Sequence, residues 1–185
     1  MKINYLTIPV LAIGFSRSTS LISRGIQLFS GTLRDGSAPN HAFIVTEDHG
    51  QLFATEETLG GLRENSLEEY TKESNRIVAM YYYTMFDNPD VRHNVLCYLA
   101  EIRRKAGENT KYDLKGLFSF VPGFRLFCKP DPVREWCSEN CASIMKRYGA
   151  PGFKKSAIRP EELLAVMSAK DDIGECYRCV LNYYV

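Results

Sequence analysis

Residues 41 to 56 read HAFIVTEDHGQLFATE, two short runs of strand-forming residues on either side of the polar segment EDHG. Runs of this kind that flank a glycine-containing loop are typical of a β-hairpin. Side chains of a strand alternate between its two faces, so the length of the loop determines which residues of the two strands face each other. The loop of this hairpin therefore determines which carboxylate lies beside His41.

Three loop lengths fit the sequence, and they place different residues beside His41. A four-residue loop from Glu47 to Gly50 puts Glu56 directly opposite His41, whereas a two-residue loop keeps Glu56 on the same face as a diagonal neighbour. A three-residue loop puts Glu57 opposite His41 instead. Opposed side chains have β-carbons about 5 Å apart, close enough for a carboxylate to orient an imidazole and favour its charged form.

Elements of both kinds are predicted around the hairpin. The segments RIVAMYYYT (76–84) and CYRCVLNYYV (176–185) are strand candidates. The segment DNPDVRHNVLCYLAEIRRKAG (87–107) has the apolar spacing of a helix, with Pro89 in its first turn. A further helix, capped by Ser18 or Ser20, is expected before the hairpin. The pattern predicts an α+β domain.

Composition favours one domain spanning residues 1–185. The chain has 185 residues, of which 45% are hydrophobic, enough for one sizeable core and short for two. Its formal net charge of +1 gives no field that would attract nucleic acid. The amino-terminal segment MKINYLTIPVLAIGFSR is too short and too often interrupted for a transmembrane segment or signal peptide. We therefore expect a buried first strand, a cytoplasmic location and free thiols.

The segment REWCSENCASIMKRYG (134–149) is predicted to form an amphipathic helix with two cysteines one turn apart. A thiol becomes a strong nucleophile when an imidazolium or a helix amino terminus stabilises its thiolate. Cys137 and Cys141 share one face of this helix, but Cys137 lies nearer the amino terminus, where unsatisfied N–H groups are concentrated. With a histidine as base and a carboxylate to orient it, Cys137 would complete a catalytic triad.

In chain order, six segments resemble the circularly permuted papain-like hydrolases of the NlpC superfamily, in particular the YiiX-like branch. They are GFSRSTSLISRGIQLFSG (14–31), PNHAFIV (39–45), LFATEETLGGL (52–62), TKYDLKGL (110–117), WCSENCASIMKRYG (136–149) and IRPEELLAV (158–166). The Cys-Ser-Glu segment is the most specific of the six. The resemblance implies an antiparallel sheet flanked by helices, with the nucleophile on a helix amino terminus.

The resemblance also implies roles for individual residues. Cys137 becomes the nucleophile, His41 the base and Glu56 the residue that orients it, while Tyr112 corresponds to a tyrosine that helps to hold the reacting carbonyl. The implied activity is cleavage of an amide or ester bond through a covalent acyl-enzyme, with no metal or organic cofactor. Implied substrates are cell-wall peptides, other peptide-like amides or lipid acyl groups. Asn140 and Cys141 depart from the family pattern, which usually has apolar residues after Cys-Ser-Glu.

Three other interpretations remain open. The segments Asn140-Cys141 and Arg147-Tyr148-Gly149 resemble lecithin:retinol acyltransferase-like proteins, which makes Cys141 a competing nucleophile and acyl transfer a competing activity. The CYRC spacing of Cys176 and Cys179 is that of half a zinc site, but only a turn would bring both thiols to one metal, because residues three apart in a strand point to opposite faces. The third interpretation is a non-catalytic protein of the same fold that binds an acyl chain or a partner.

Overall fold

The computed structural model describes residues 7–17, 38–58, 61–72, 76–106, 137–153, 158–169 and 176–182. Among the described residues, two α-helices lie between residues 67 and 106, and two follow residue 136. The elements in chain order are β1 (Ile13–Arg17), β2 (His41–Asp48), β3 (Gln51–Thr58), β4 (Gly61–Ser66), α1 (Leu67–Lys72), β5 (Arg76–Tyr83), α2 (Pro89–Ala106), α3 (Cys137–Arg147), α4 (Pro160–Ser168) and β6 (Tyr177–Asn182). A 3₁₀ turn at Thr84–Asp87 joins β5 to α2.

The strands form one antiparallel sheet in the order β4-β3-β2-β1-β5-β6. Every neighbouring pair in this order is antiparallel. The α+β class with an antiparallel sheet and helices is therefore confirmed. Within this order, β2 lies between β1 and β3, so the strand that begins with His41 is held by hydrogen bonds on both edges.

Most of the predicted elements are present. The two strands of the hairpin, the strand candidates at residues 76–84 and 176–185, and the helix that begins at Pro89 are confirmed as β2, β3, β5, β6 and α2. Strand β4 and helix α1 were not predicted. The helix expected after Ser18 lies outside the described residues, as does Tyr112.

The prediction of a first strand along the amino-terminal segment is wrong in its extent. The strand begins only at Ile13, although Ile8, Val10 and Leu11 are buried as expected. Pro9 has no N–H to donate to a neighbouring strand, and Leu11 has a positive φ of 74°, a value that a regular strand does not accept. Because of these two residues, no regular strand forms before Ile13 in the described residues, although the segment is buried.

Both faces of β2 are buried, and alternate side chains enter two different clusters. Ala42 and Ile44 belong to a large cluster that also contains residues of α2, α3 and α4. Phe43 and Val45 belong to a second cluster that contains residues of α1. No described helix is long and apolar enough to cross a membrane.

Gly14 of β1 leaves the space that the Phe43 ring occupies. The two residues are partners in the β1–β2 register. A β-carbon built on Gly14 would lie 2.1 Å from Cζ of Phe43, closer than atoms in contact can approach. Only glycine therefore allows a full phenylalanine at this point, two residues after His41.

We expect Gly14→Ala to lower the free energy of unfolding by about 1–3 kcal/mol, because the added methyl group overpacks a filled core. Urea unfolding followed by circular dichroism measures this loss. The matched control is the same substitution in a Phe43→Leu background, where the shorter side chain frees space and the loss should be smaller. An equal loss in both backgrounds would show that the ring of Phe43 does not cause it.

Candidate active site

A two-residue turn closes the β2–β3 hairpin. The register pairs Asp48 with Gln51 and Ile44 with Thr55, which leaves His49 and Gly50 as the turn. Both turn residues have positive φ, 49° and 80°, as a type I′ turn requires. The four-residue and three-residue registers are therefore wrong, and the two-residue register is confirmed.

Glu56 lies beside His41 as the two-residue register predicts. Nε2 of His41 lies 2.5 Å from Oε2 of Glu56. The exposed fractions of the two side chains are only 16% and 8%, so water screens this ion pair weakly. Oε1 of Glu56 accepts a second hydrogen bond, at 2.9 Å, from Nδ2 of Asn65 in β4. The carboxylate is thus held from two strands.

The nucleophile candidate Cys137 is the first residue of α3 and contacts His41. Its thiol forms a hydrogen bond with the imidazole. Because Nε2 of His41 is directed at Glu56, Nδ1 is the ring nitrogen left for the sulfur. The backbone N–H groups of Ala42 and Ser138 also donate to Cys137. The structure thus brings together the three residues that the sequence singled out.

The contacts favour a charged pair of thiolate and imidazolium. Burial by itself lowers the pKa of His41, but the charge and hydrogen bond of Cys137, together with those of Glu56, raise this pKa to about 10. Burial likewise raises the pKa of Cys137, but the His41 charge and hydrogen bond and the two backbone N–H groups outweigh it, and the net shift is downward. The attractive interactions therefore exceed the desolvation cost for both groups.

The start of α3 is fixed to the segment before α4. The hydroxyl of Ser138, which is 2% exposed, donates to the backbone oxygen of Ile158 at 2.6 Å. In turn, the start of α4 is held by Glu162, whose carboxylate accepts from the backbone N–H of Arg159 at 3.0 Å. The residue after the nucleophile is thus anchored independently of the sheet.

Cys141 lies one turn further along α3 and is 1% exposed. It belongs to the large buried cluster rather than to the His41 contact. Cys137 itself is also buried, at 7% exposure. Any unusual reactivity of Cys137 must therefore come from its ionisation rather than from its exposure.

The remaining candidate residues lie away from this contact or outside the described residues. Tyr112 lies outside the described residues. His49 is 96% exposed at the tip of the hairpin, as expected of a solvated loop residue. Cys179 lies within β6 and Cys176 immediately before it, so CYRC is not a turn. In the described part of the chain, no three His, Cys, Asp or Glu residues form a group that could hold a metal ion.

Three residues at the site were missed in the sequence, namely Ser16, Asn65 and Tyr70. Ser16 lies opposite His41 in the β1–β2 register, and the hydroxyl of Tyr70 donates to Oε2 of Glu56 at 3.2 Å. The segment GLRENS carries no β-branched or aromatic residue, which is why β4 and its Asn65 were not recognised. Ser16 could have been found by pairing the first strand with the hairpin.

Comparison with known proteins adds no homologue to this picture. No protein-family model matches the chain, and a search of curated proteins finds no match. The resemblance of the six segments therefore stays a prediction, and the function has to be inferred from the geometry of Cys137, His41 and Glu56.

The first prediction from this geometry is that iodoacetamide labels Cys137 before the exposed Cys97 and Cys179 at pH 7. The thiolate is the reacting form, so the rate should rise with pH through the lowered pKa of Cys137. The charged pair should persist from that pKa up to about pH 10, where His41 loses its proton. Mass spectrometry of labelled peptides over a pH series measures both features.

The same cysteine in the urea-unfolded chain is the matched control, because an unstructured thiol has a pKa near 8.5. The pH midpoint for Cys137 should lie lower in the folded protein than in the unfolded one. Preferential labelling of Cys141, with Cys137 inert, would contradict the assignment of the nucleophile.

Proposed function

We propose that this protein is a thiol-dependent hydrolase that cleaves an amide or ester bond. The observation that carries the proposal is the continuous contact from Cys137 through His41 to Glu56, with 2.5 Å between Nε2 and Oε2. These residues provide a nucleophile, a proton-transfer group and a carboxylate that orients it. The three come from a helix and two neighbouring strands, which are rigid elements on which catalytic groups are held accurately.

In the proposed reaction, the Cys137 thiolate attacks the carbonyl carbon of the substrate and forms a C–S bond. The resulting oxyanion would be stabilised by backbone N–H groups at the start of α3, where the helix dipole also favours negative charge. His41, protonated at Nδ1, then donates its proton to the leaving amine or alcohol as the bond to it breaks. This step leaves an acyl group on Cys137 and a neutral imidazole.

Water completes the proposed cycle. Neutral His41 accepts a proton from a water molecule that attacks the thioester, and the Cys137 thiolate leaves as the acid product forms. Glu56 keeps its hydrogen bond to Nε2 throughout, so the imidazole retains one orientation while its other nitrogen gains and loses a proton. The thiolate–imidazolium pair is then restored.

The proposed fold is the permuted papain-like arrangement that the motifs resemble. It is supported by the chain order, in which the histidine strand β2 precedes the cysteine helix α3, and by the packing of α3 against β2 in one buried cluster. Cell-wall peptides, other peptide-like amides and lipid acyl groups are the proposed substrate classes. Hydrolysis is favoured over the acyltransferase interpretation based on Cys141, since it is Cys137 that contacts His41.

We expect His41→Ala to lower kcat/KM by about 100-fold to 10,000-fold, because it removes the proton-transfer group. Glu56→Gln should lower it less, since the amide can still contact the imidazole but carries no charge. p-Nitrophenyl acetate is a suitable probe, with release of nitrophenol followed by absorbance and the acetyl-enzyme followed by intact mass.

Exposed residues of the same types supply the controls. His93→Ala in α2 and Glu47→Gln near the hairpin turn change exposed side chains, and both should leave turnover unchanged. Melting temperatures of all four variants separate loss of catalysis from loss of folding. Full activity of a folded His41→Ala variant would exclude the proposed mechanism.

A further inference from the structure

The Glu56 carboxylate is held by more than its contact with His41. Oε2 accepts hydrogen bonds both from Nε2 of His41, at 2.5 Å, and from the hydroxyl of Tyr70, at 3.2 Å. Oε1 accepts from Asn65. Tyr70 therefore donates to the same oxygen atom that orients the candidate base.

Ser16 forms a hydrogen bond with Tyr70 and so extends the network that begins at Glu56. Its hydroxyl oxygen lies 2.9 Å from that of Tyr70. A carboxylate only accepts, so the single hydroxyl proton of Tyr70 is directed to Glu56, and Ser16 is the donor in the bond to Tyr70. Donation from Ser16 fixes the direction of the tyrosine hydroxyl.

The Tyr70 side chain has little freedom to leave this position. It is 1% exposed, and Ser16 is fully buried. Its ring packs against Phe43 with 5.1 Å between ring centroids, and Phe43 in turn fills the space left by Gly14. The ring is therefore fixed by the core, and the hydroxyl is fixed by Ser16 and Glu56.

The ionisation of Tyr70 is compatible with a permanent donor. Burial, and then the negative charge of Glu56, raise the pKa of Tyr70 well above its ordinary value. The hydroxyl thus keeps its proton over the whole pH range in which Cys137 and His41 form a charged pair.

We propose that Tyr70, oriented by Ser16, is a positioning residue that holds Oε2 of Glu56 against Nε2 of His41. This inference rests on the proposed function, because it assigns Tyr70 an effect on the Cys137–His41 pair through Glu56. Without the tyrosine hydroxyl, Glu56 loses a donor on the oxygen that contacts His41, the imidazolium is held less firmly, and the thiolate of Cys137 is less stabilised.

The test is the pH dependence of Cys137 alkylation by iodoacetamide in Tyr70→Phe. The ring and its packing remain, and only the hydroxyl is lost. We expect the pH midpoint to rise by about 0.5 to 1 unit, which corresponds to the loss of one hydrogen bond. Ser16→Ala should shift the midpoint in the same direction by a smaller amount, since Tyr70 keeps its proton but loses its orienting donor.

Tyr82→Phe is the matched control. Tyr82 is also 1% exposed, and its hydroxyl also donates to a carboxylate, Oδ1 of Asp87 at 3.0 Å, on another part of the structure. This variant should be destabilised in urea as Tyr70→Phe is, yet its Cys137 midpoint should equal that of the wild type. A midpoint is informative here because a general loss of stability does not change the ionisation of one thiol in the folded state.

The outcomes separate this inference from the proposed function. A low wild-type midpoint that Tyr70→Phe and Ser16→Ala leave unchanged would overturn the role of Tyr70 and leave the hydrolase proposal standing. Equal shifts in Tyr70→Phe and Tyr82→Phe would show general loosening and also overturn it. A wild-type midpoint equal to that of the urea-unfolded chain would contradict both. If Tyr70→Phe does not fold, the shift in Ser16→Ala decides.

Discussion

The hydrogen bond between His41 and Glu56 depends on a turn of two residues at the opposite end of the hairpin. With His49 and Gly50 in positive-φ conformations, β2 and β3 pair in a single register, and Glu56 takes a position diagonal to His41. One residue more or less in the turn would move a different side chain to this place. An insertion or deletion in the exposed turn would therefore move Glu56 away from His41 at the other end of the hairpin.

The buried thiol of Cys137 and the imidazole of His41 lie against each other. Burial disfavours the charged form of each group, and the interaction between them favours the charged form of both. The loss of His41 would leave a buried thiol without its cation, whereas the loss of Cys137 would leave Glu56 to oppose the effect of burial on the pKa of the imidazole. Glu56 adds a fixed negative charge on the far side of the ring, which ties the pair to the sheet.

The sequence predicted the α+β class from local patterns, and the resemblance of its motifs singled out Cys137, His41 and Glu56, which the structure brings together. Alternation of side chains gave β2 and β3, proline and apolar spacing gave α2, and the order of motifs pointed to Cys137. The register was left among three possibilities, since the choice depends on the backbone conformation of His49, a residue that adopts positive φ less readily than glycine does. Tyr70 could not be assigned, because its contacts with Glu56 and Ser16 exist only after β1, β3 and α1 have packed together.

The diagonal placement of Glu56 is better suited to a triad than the direct opposition that a longer loop would have given. Directly opposed β-carbons are about 5 Å apart, so a glutamate and a histidine there must fold back or pass each other to meet. Diagonal partners are about 7–8 Å apart, a span that two extended side chains can bridge end to end. An end-to-end contact uses only Nε2 of the ring and leaves Nδ1 directed away from Glu56, which is where α3 brings Cys137. The register of the hairpin thus determines both which carboxylate contacts the imidazole and which ring nitrogen remains for the thiol.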